Sequence, residues 1–279
     1  MTPPATDPTT ESTDEPPSDS TTDSTSDWPG VERRPLLKAL GVGATLSLGS
    51  GLASADAGEE TMHPQFGYTT PDATTVPSDL QADHEVELHV ETPSEESEDH
   101  APFYAHFEPS GLQVSSGDVV QFTYKSPDHT VTAYHPGHGY QRRVPKNVPP
   151  FSSPIVNVEG AWLYRFEESG LYDLFCAPHH VFGMSGRVVV DDLADEDVPG
   201  YESTFEGSED PPLFAPWSKR VMNHELNAFS AKNDAAEWPY VTPQAVLDAD
   251  ALDPGRIQSE GAVSFDAVRE ELGYPSSER

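Results

Sequence analysis

Between Val86 and Val190 apolar side chains return at every second position, in short runs broken by turn residues. A period of two puts alternate side chains on opposite faces of an extended strand, so each run can bury one face. The runs are Val86, Leu88 and Val90; Phe103, Ala105 and Phe107; Leu112 and Val114; Val120, Phe122 and Tyr124; Ile155 and Val156; Trp162, Tyr164 and Phe166; Tyr172, Leu174 and Cys176; and Val188 to Val190. Ser116-Gly117-Asp118 makes a turn between two of them. About eight short strands with turns between them predict an all-β fold, an antiparallel Greek-key sandwich. The 28 prolines point the same way, because helix interiors exclude proline.

The flanks have other compositions. Residues 1–30 hold little besides Thr, Ser, Pro, Asp and Glu, with Trp28 the lone large apolar side chain, so a disordered leader is expected. Glu32-Arg33-Arg34-Pro35-Leu36-Leu37-Lys38 follows, then an apolar, Gly-rich stretch to Leu52 and small residues at Ala53-Ser54-Ala55-Asp56-Ala57. The pattern resembles a twin-arginine export signal, from which Pro35 and the acidic leader depart. A chance Arg pair and an uncleaved membrane anchor are the alternatives. After about Asp191 the period changes. Trp217, Val221, Met222, Leu226 and Phe229 fall at helical spacing, Thr242-Pro243 reads as a helix start, and Ser264 to Leu272 as a helix stopped by Gly273. The expected division is 1–57 leader and signal, 58–83 linker, 84–192 sandwich, and 193–279 an acidic, partly helical C-terminal extension whose apolar side chains pack on the sandwich.

Charge narrows the function. Asp and Glu number 48 against 15 Lys and Arg, a formal net charge of −33. Such a surface repels phosphate backbones and excludes nucleic acid as a partner. Acid excess with scarce Lys is also the composition of a protein from a salt-loving organism. The single Cys excludes an internal disulfide.

That cysteine opens Cys176-Ala177-Pro178-His179-His180-Val181-Phe182-Gly183-Met184, which puts a thiolate, an imidazole and a thioether in one loop. Sulfur and imidazole donors together suit copper. Alternation turns Cys176 inward with Tyr172 and Leu174, and the proline-bearing loop can bring His179 and Met184 back to it. A further donor should come from a neighbouring strand edge, where His129 follows the Val119–Tyr124 run.

With Gly170-Leu171-Tyr172 before the Cys strand, Gly186 after the Met and a terminal strand of valines, the segment from Glu85 to Asp191 resembles the small blue copper proteins, or cupredoxins, in particular their pseudoazurin, plastocyanin and halocyanin branch. The resemblance implies His129, Cys176 and His179 as strong ligands of one type 1 copper and Met184 as a weak axial ligand, while the acid-rich composition points to a halophilic archaeon as the source. It also implies single-electron transfer between redox protein partners, membrane-bound respiratory components among them, through His179 at an apolar patch that includes Val181 and Phe182. Members commonly carry Asn after the first His and Ser or Thr after the Cys. Here these are Thr130 and Ala177, so the usual bond across the site is expected to be missing, with an altered potential or a softer ligand loop as the result.

Other readings stay open. A zinc site or a buried structural thiol would need the same residues without redox activity. His180, His135 and His138 could frame a second metal of a reductase or oxidase, or could be ordinary loop histidines. The extension could make the chain an accessory copper-binding module that recruits a partner. Arg142, Arg143 and Lys146 form a basic cluster, either for an acidic partner or for pairing within the chain.

Overall fold

The computed structural model describes residues 62–93, 101–201, 213–228 and 237–274. The leader, the export signal and Phe229 lie outside the described residues.

Two sheets face each other. One runs in the order β1 (Tyr68–Thr70), β7 (Ala161–Arg165), β5 (Val119–Tyr124), β2 (His84–Glu91), β3 (Tyr104–Glu108). The other runs β10 (Ala262–Val263), β4 (Gly111–Val114), β9 (Ser185–Val190), β8 (Gly170–Phe175), β6 (Thr132–Ala133). The inward faces supply the expected alternating residues: Val86 and Leu88, Ala105 and Phe107, Val120, Phe122 and Tyr124, Trp162 and Tyr164, Tyr172 and Leu174, all buried in one cluster with Cys176 and Met184. Burying each large apolar side chain contributes about 1.5–3 kcal/mol, which makes this cluster the main source of stability.

Not every pairing is antiparallel. β2 runs parallel to β5, and β4 parallel to β9. The chain changes sheets between β3 and β4 and between β5 and β6, and such crossings bring strands together in the same direction. Ile155 and Val156 form no strand; Ile155 is 58% exposed, while Val156 closes the core from a loop.

The expected linker is also structured in its described part. β1 pairs antiparallel with β7, Trp162 Nε1 donates to the Phe66 carbonyl at 2.7 Å, and Tyr164 donates to the Pro64 carbonyl at 3.1 Å. The buried indole needs a partner for its N–H, and this segment supplies one.

The extension packs on the outer face of the second sheet. Its helices are α1 (Lys219–Ala228), α2 (Pro243–Leu247), α3 (Pro254–Glu260) and α4 (Phe265–Glu271), and β10 adds an edge strand beside β4. Val246, Leu252, Ile257, Phe265 and Val268 are buried against Tyr104, Leu171 and Val189. The helix at Trp217 to Leu226 carries less of this burial than its spacing suggested: Met222 is buried, but Val221 is 38% exposed. Ser264 caps α4 by accepting the Ala267 N–H, and Gly273 ends it at φ +79°. Among the described residues no helix is long and apolar enough to cross a membrane.

One buried ionic group ties the layers together. Asp173 and Arg187 are register partners on β8 and β9, facing outward under the extension. Arg187 Nε lies 2.7 Å from Asp173 Oδ1, Arg143 Nη1 lies 2.9 Å from Oδ2, and Arg187 Nη1 donates to the Leu252 carbonyl at 2.7 Å. Of the basic cluster, Arg143 is thus paired within the chain, and Arg142 Nη1 reaches the Val148 carbonyl at 3.4 Å.

Candidate metal centre

The chain passes from the first sheet to the second between β5 and β6, at one end of the sandwich, and His129 stands in that crossing. Asp128 before it takes φ +66°, a left-handed conformation Asp tolerates well. The Val131 N–H donates to Ser153 Oγ at 2.8 Å and the Ser153 N–H to the Val131 carbonyl at 2.9 Å, fixing the segment after the histidine. Cys176 directly follows β8. Its N–H donates to the Met184 carbonyl at 3.0 Å, closing the loop so that both sulfur residues face the same point. Within the loop, His180–Phe182 makes a single tight turn and Gly183 reverses the chain at φ +89°. A side chain at that φ would be strained.

This folding brings all four expected residues together. The donor atoms of His129, Cys176 and His179 lie within 4.8 Å of one another. His129 Nδ1 and His179 Nδ1 are 3.2 Å apart, and Cys176 Sγ lies 3.7 Å and 3.5 Å from them. Met184 Sδ is 3.1 Å from His129 Nδ1. A metal bound at about 2.0 Å to nitrogen and about 2.3 Å to sulfur, with angles between tetrahedral and trigonal, requires separations of about 3.3–3.5 Å and about 3.5–3.7 Å, so His129, Cys176 and His179 fit an ion, with the Met184 sulfur beside them. His129, Cys176 and Met184 are buried, and His179 is half-buried.

Burial sets the protonation of the donors. It pushes the His129 imidazole down to about 3, helped by the neighbouring His179 ring, and it lowers His179 as well. The Cys176 thiol is pushed up to about 11 by the same desolvation. Neutral imidazoles offer lone pairs at once, whereas the thiolate needs a positive charge beside it. His129 Nε2 lies 2.6 Å from Ser126 Oγ, and in the tautomer whose Nε2–H donates to that hydroxyl the ring keeps its Nδ1 lone pair toward the other donors.

The bond across the site, expected to be missing, is present in another form. Ala177 N–H donates to Thr130 Oγ1 at 2.8 Å, and Thr130 N–H points at Cys176 Sγ at 3.3 Å. Because Thr130 Oγ1 accepts, its proton is available to Thr132 Oγ1 at 3.0 Å, and that hydroxyl reaches Ser152 Oγ at 2.8 Å. A threonine hydroxyl here does what a side-chain amide could, since Ala177 offers only its backbone N–H.

The other histidines are occupied elsewhere. His180 is buried, with Nε2 2.7 Å from the Tyr134 hydroxyl and Nδ1 3.3 Å from that of Tyr140. His135 Nδ1 accepts the Gly137 N–H at 2.9 Å, and His138 Nε2 donates to the Phe151 carbonyl at 3.2 Å. Among the described residues they join no donor cluster.

Around His179 the expected patch is wider than Val181 and Phe182. Phe182 meets Phe103 at 4.8 Å and Tyr240 at 4.7 Å, and lies parallel to Trp238 at 6.3 Å. Sequence reasoning missed the extension's part in this surface. Its signal was the aromatic pair Trp238 and Tyr240 flanking a proline, ahead of a helix start.

A sandwich of these two sheets, with His, Cys, His and Met donors gathered at one end, is a cupredoxin-like β-sandwich, and copper is the ion its donor set suits. Residues 97–191 match the family of copper binding proteins described as plastocyanin/azurin. Pseudoazurin of Paracoccus pantotrophus is 33% identical over 86 residues, 31% of this chain and 53% of that protein. The chain thus spans about half the length of that relative. Among solved structures, pseudoazurin of Methylobacterium extorquens AM1 is 18% identical with a TM-score of 0.33, over 52% of this chain and 95% of its own. A pseudoazurin from Sinorhizobium meliltoi gives 22% and 0.31, over 51% of this chain and 91% of its own. A mutant amicyanin in its reduced Cu(I) form gives 23% and 0.29, over 43% and 90%.

Proposed function

We propose that this protein is an exported single-electron carrier holding one type 1 copper at His129, Cys176, His179 and Met184. The observation that carries the reading is the convergence of a buried cysteine sulfur, two imidazole nitrogens that burial keeps neutral, and a thioether within one small volume. Copper held by such donors supplies a one-electron couple, because sulfur suits the +1 state and imidazole serves both states.

The chain's own residues do the rest. The packed core excludes water from Cys176 and His129. Ser126 orients the His129 ring, and the Thr130 N–H faces the Cys176 sulfur, where hydrogen bonding tunes the stability of the thiolate. Tying Thr130 to Ala177 holds the two ligand-bearing segments in one arrangement, so little need move when the charge changes. His179 is the donor nearest solvent, at the apolar surface of Phe182, Phe103 and Tyr240, and is the route for electrons to redox partners, membrane-bound ones among them.

The oxidised, purified protein tests this directly. An intense visible band from sulfur-to-copper charge transfer is expected, with one copper per chain. A colourless protein, or one binding more than one copper, would refute it. Export rests on the Arg33-Arg34 signal and its small-residue cleavage site. Replacing both arginines by Lys should retain the protein in the cytoplasm, since the translocase reads guanidinium geometry rather than charge. Normal export of that variant would remove the argument.

A further inference from the structure

Two of the donors, His179 and Met184, are joined by the turn His180–Phe182 and Gly183, and the outer side of that turn is covered by residues from beyond the sandwich. Tyr240 and Trp238 sit against Phe182, with Trp238 parallel to it within 11°. Trp217 lies 5.1 Å from the His180 ring. Between these contacts the backbone of Val241 meets Gly183 so closely that a Cβ there would fall 2.9 Å from the Val241 carbonyl carbon. The turn itself is held by short local bonds: Phe182 N–H to the His179 carbonyl at 3.0 Å, Gly183 N–H to that of His180 at 3.0 Å, and Met184 N–H to that of His179 at 3.3 Å.

Beyond these, the Cys176 N–H anchors the Met184 carbonyl at 3.0 Å and the Tyr134 and Tyr140 hydroxyls hold the His180 ring, but these ties end at His180 and Met184, and outward motion of Phe182 and Gly183 between them is opposed by the contacts from the extension. A one-electron site is harmed by that motion, because His179 would move with it. From this we infer that the C-terminal extension is part of the copper site's supporting wall: Tyr240, acting through Phe182, and Val241, acting through Gly183, are positioning residues for His179 and Met184. The inference rests on the copper reading given above, but the clamp exists in the chain whether or not the ion is bound.

The full-length chain carrying Tyr240→Ala, with Tyr240→Phe as the conservative variant, tests it. In the metal-free protein, Tyr240→Ala should speed amide hydrogen exchange at Phe182, Gly183 and Met184 by about tenfold or more, while the Asp118 amide, which donates to Ser115 at 3.0 Å at the other end of β5, stays unchanged. In the copper form the electron self-exchange rate should fall by about the same factor, and Tyr240→Phe should restore both. Should Tyr240→Ala fail to fold, Trp238→Ala removes the parallel ring from Phe182 and is read in the same way. Loop exchange and self-exchange both within about twofold of wild type, with only the melting temperature lowered, would overturn the proposal and leave Tyr240 a packing residue. A wild-type protein without the visible band would instead sink the copper reading, and the exchange experiment would still report on the clamp.

Discussion

Thr130 offers the sharpest test of how the ligand-bearing segments are held. Its hydroxyl accepts the Ala177 N–H at 2.8 Å in a site where Thr130 itself is 8% exposed. Thr130→Val keeps the shape and removes the acceptor, so the Ala177 N–H is left without its partner while Thr132 keeps its bond to Ser152 at 2.8 Å. Ala177 is exposed and the bond is part-buried, so water takes up some of the loss and the expected cost is about 1 kcal/mol, the usual net contribution of one hydrogen bond. For a folded body of this size each kcal/mol moves the melting temperature by about 2–4 °C, so a fall of about 2–4 °C is expected. Calorimetry of the metal-free protein at fixed ionic strength measures it without interference from ion binding. Thr130→Ser keeps the hydroxyl and loses only a methyl group, so it should retain most of the stability. In the copper form, Thr130→Val should also shift the reduction potential, because the Thr130 N–H that faces Cys176 Sγ at 3.3 Å is carried by the same backbone. If Thr130→Val melts within about 1 °C of wild type, the bond contributes nothing and the reasoning fails.

Further outcomes follow from the same geometry. Cys176→Ser should abolish the intense visible band, whereas Met184→Leu should keep it with a changed potential; an intensely coloured Cys176→Ser protein would exclude Cys176 as the charge-transfer donor. Asp173→Asn leaves the Arg187 and Arg143 guanidinium groups, 2.7 Å and 2.9 Å from its oxygens, without their counter-charge, and should cost about 3–5 kcal/mol in denaturant unfolding. His106 is buried beside His89, Glu91, Arg269 and Phe265, and burial pushes it down to about 3 from an ordinary 6.5. The unfolded chain therefore takes up its proton first, and stability present above about pH 6.5 is lost as pH falls toward 3, by up to about 1.4 kcal/mol per unit. His106→Phe should flatten that slope in pH-dependent unfolding, and identical slopes would show that His106 does not carry it. With a net charge of −33, midpoints of unfolding should rise as salt is added from very low concentration, and a flat or falling series would count against adaptation to salt.

What the sequence revealed depended on whether the signal was local. The donors were legible because Cys176, His179 and Met184 share one short loop and His129 directly follows a clear strand. The inward residues of the sandwich were legible because period two is visible within each strand. Strand direction is not: nothing in Val86-Glu87-Leu88 says that β2 will lie parallel to β5. β1 was invisible because Tyr68-Thr69-Thr70 is too short to show alternation and gains its place only by pairing with β7. The bond from Ala177 to Thr130 was missed by comparing residue types, when the position of a hydroxyl oxygen was what mattered. In the extension, the helical spacing at Trp217 to Leu226 drew attention to α1, whereas the deeper packing comes from Leu252, Ile257 and Phe265 on elements too short for a period to register.

The charge of the chain explains the form of that cover. Sandwich and extension are both acidic, so surface attraction cannot join them, and the contact is built from apolar side chains, with Ile257 and Leu252 against Gly111 on β4. Charged groups that cross it have partners on the other side. Arg187 reaches the Leu252 carbonyl, the Phe265 N–H donates to Glu108 at 2.9 Å, and Arg269 lies between Asp266 and Glu91. Salt acts on such an arrangement in two ways that add. It screens repulsion between the acidic surfaces, and salts excluded from protein surfaces strengthen apolar burial. Since the extension reaches the loop through Tyr240 and Val241, the clamp proposed above predicts that the seating of the extension and the setting of His179 and Met184 respond to salt together. If salt stabilises the chain as expected, amide exchange at Gly183 and Met184 should slow over the same range of ionic strength in which the unfolding midpoint rises.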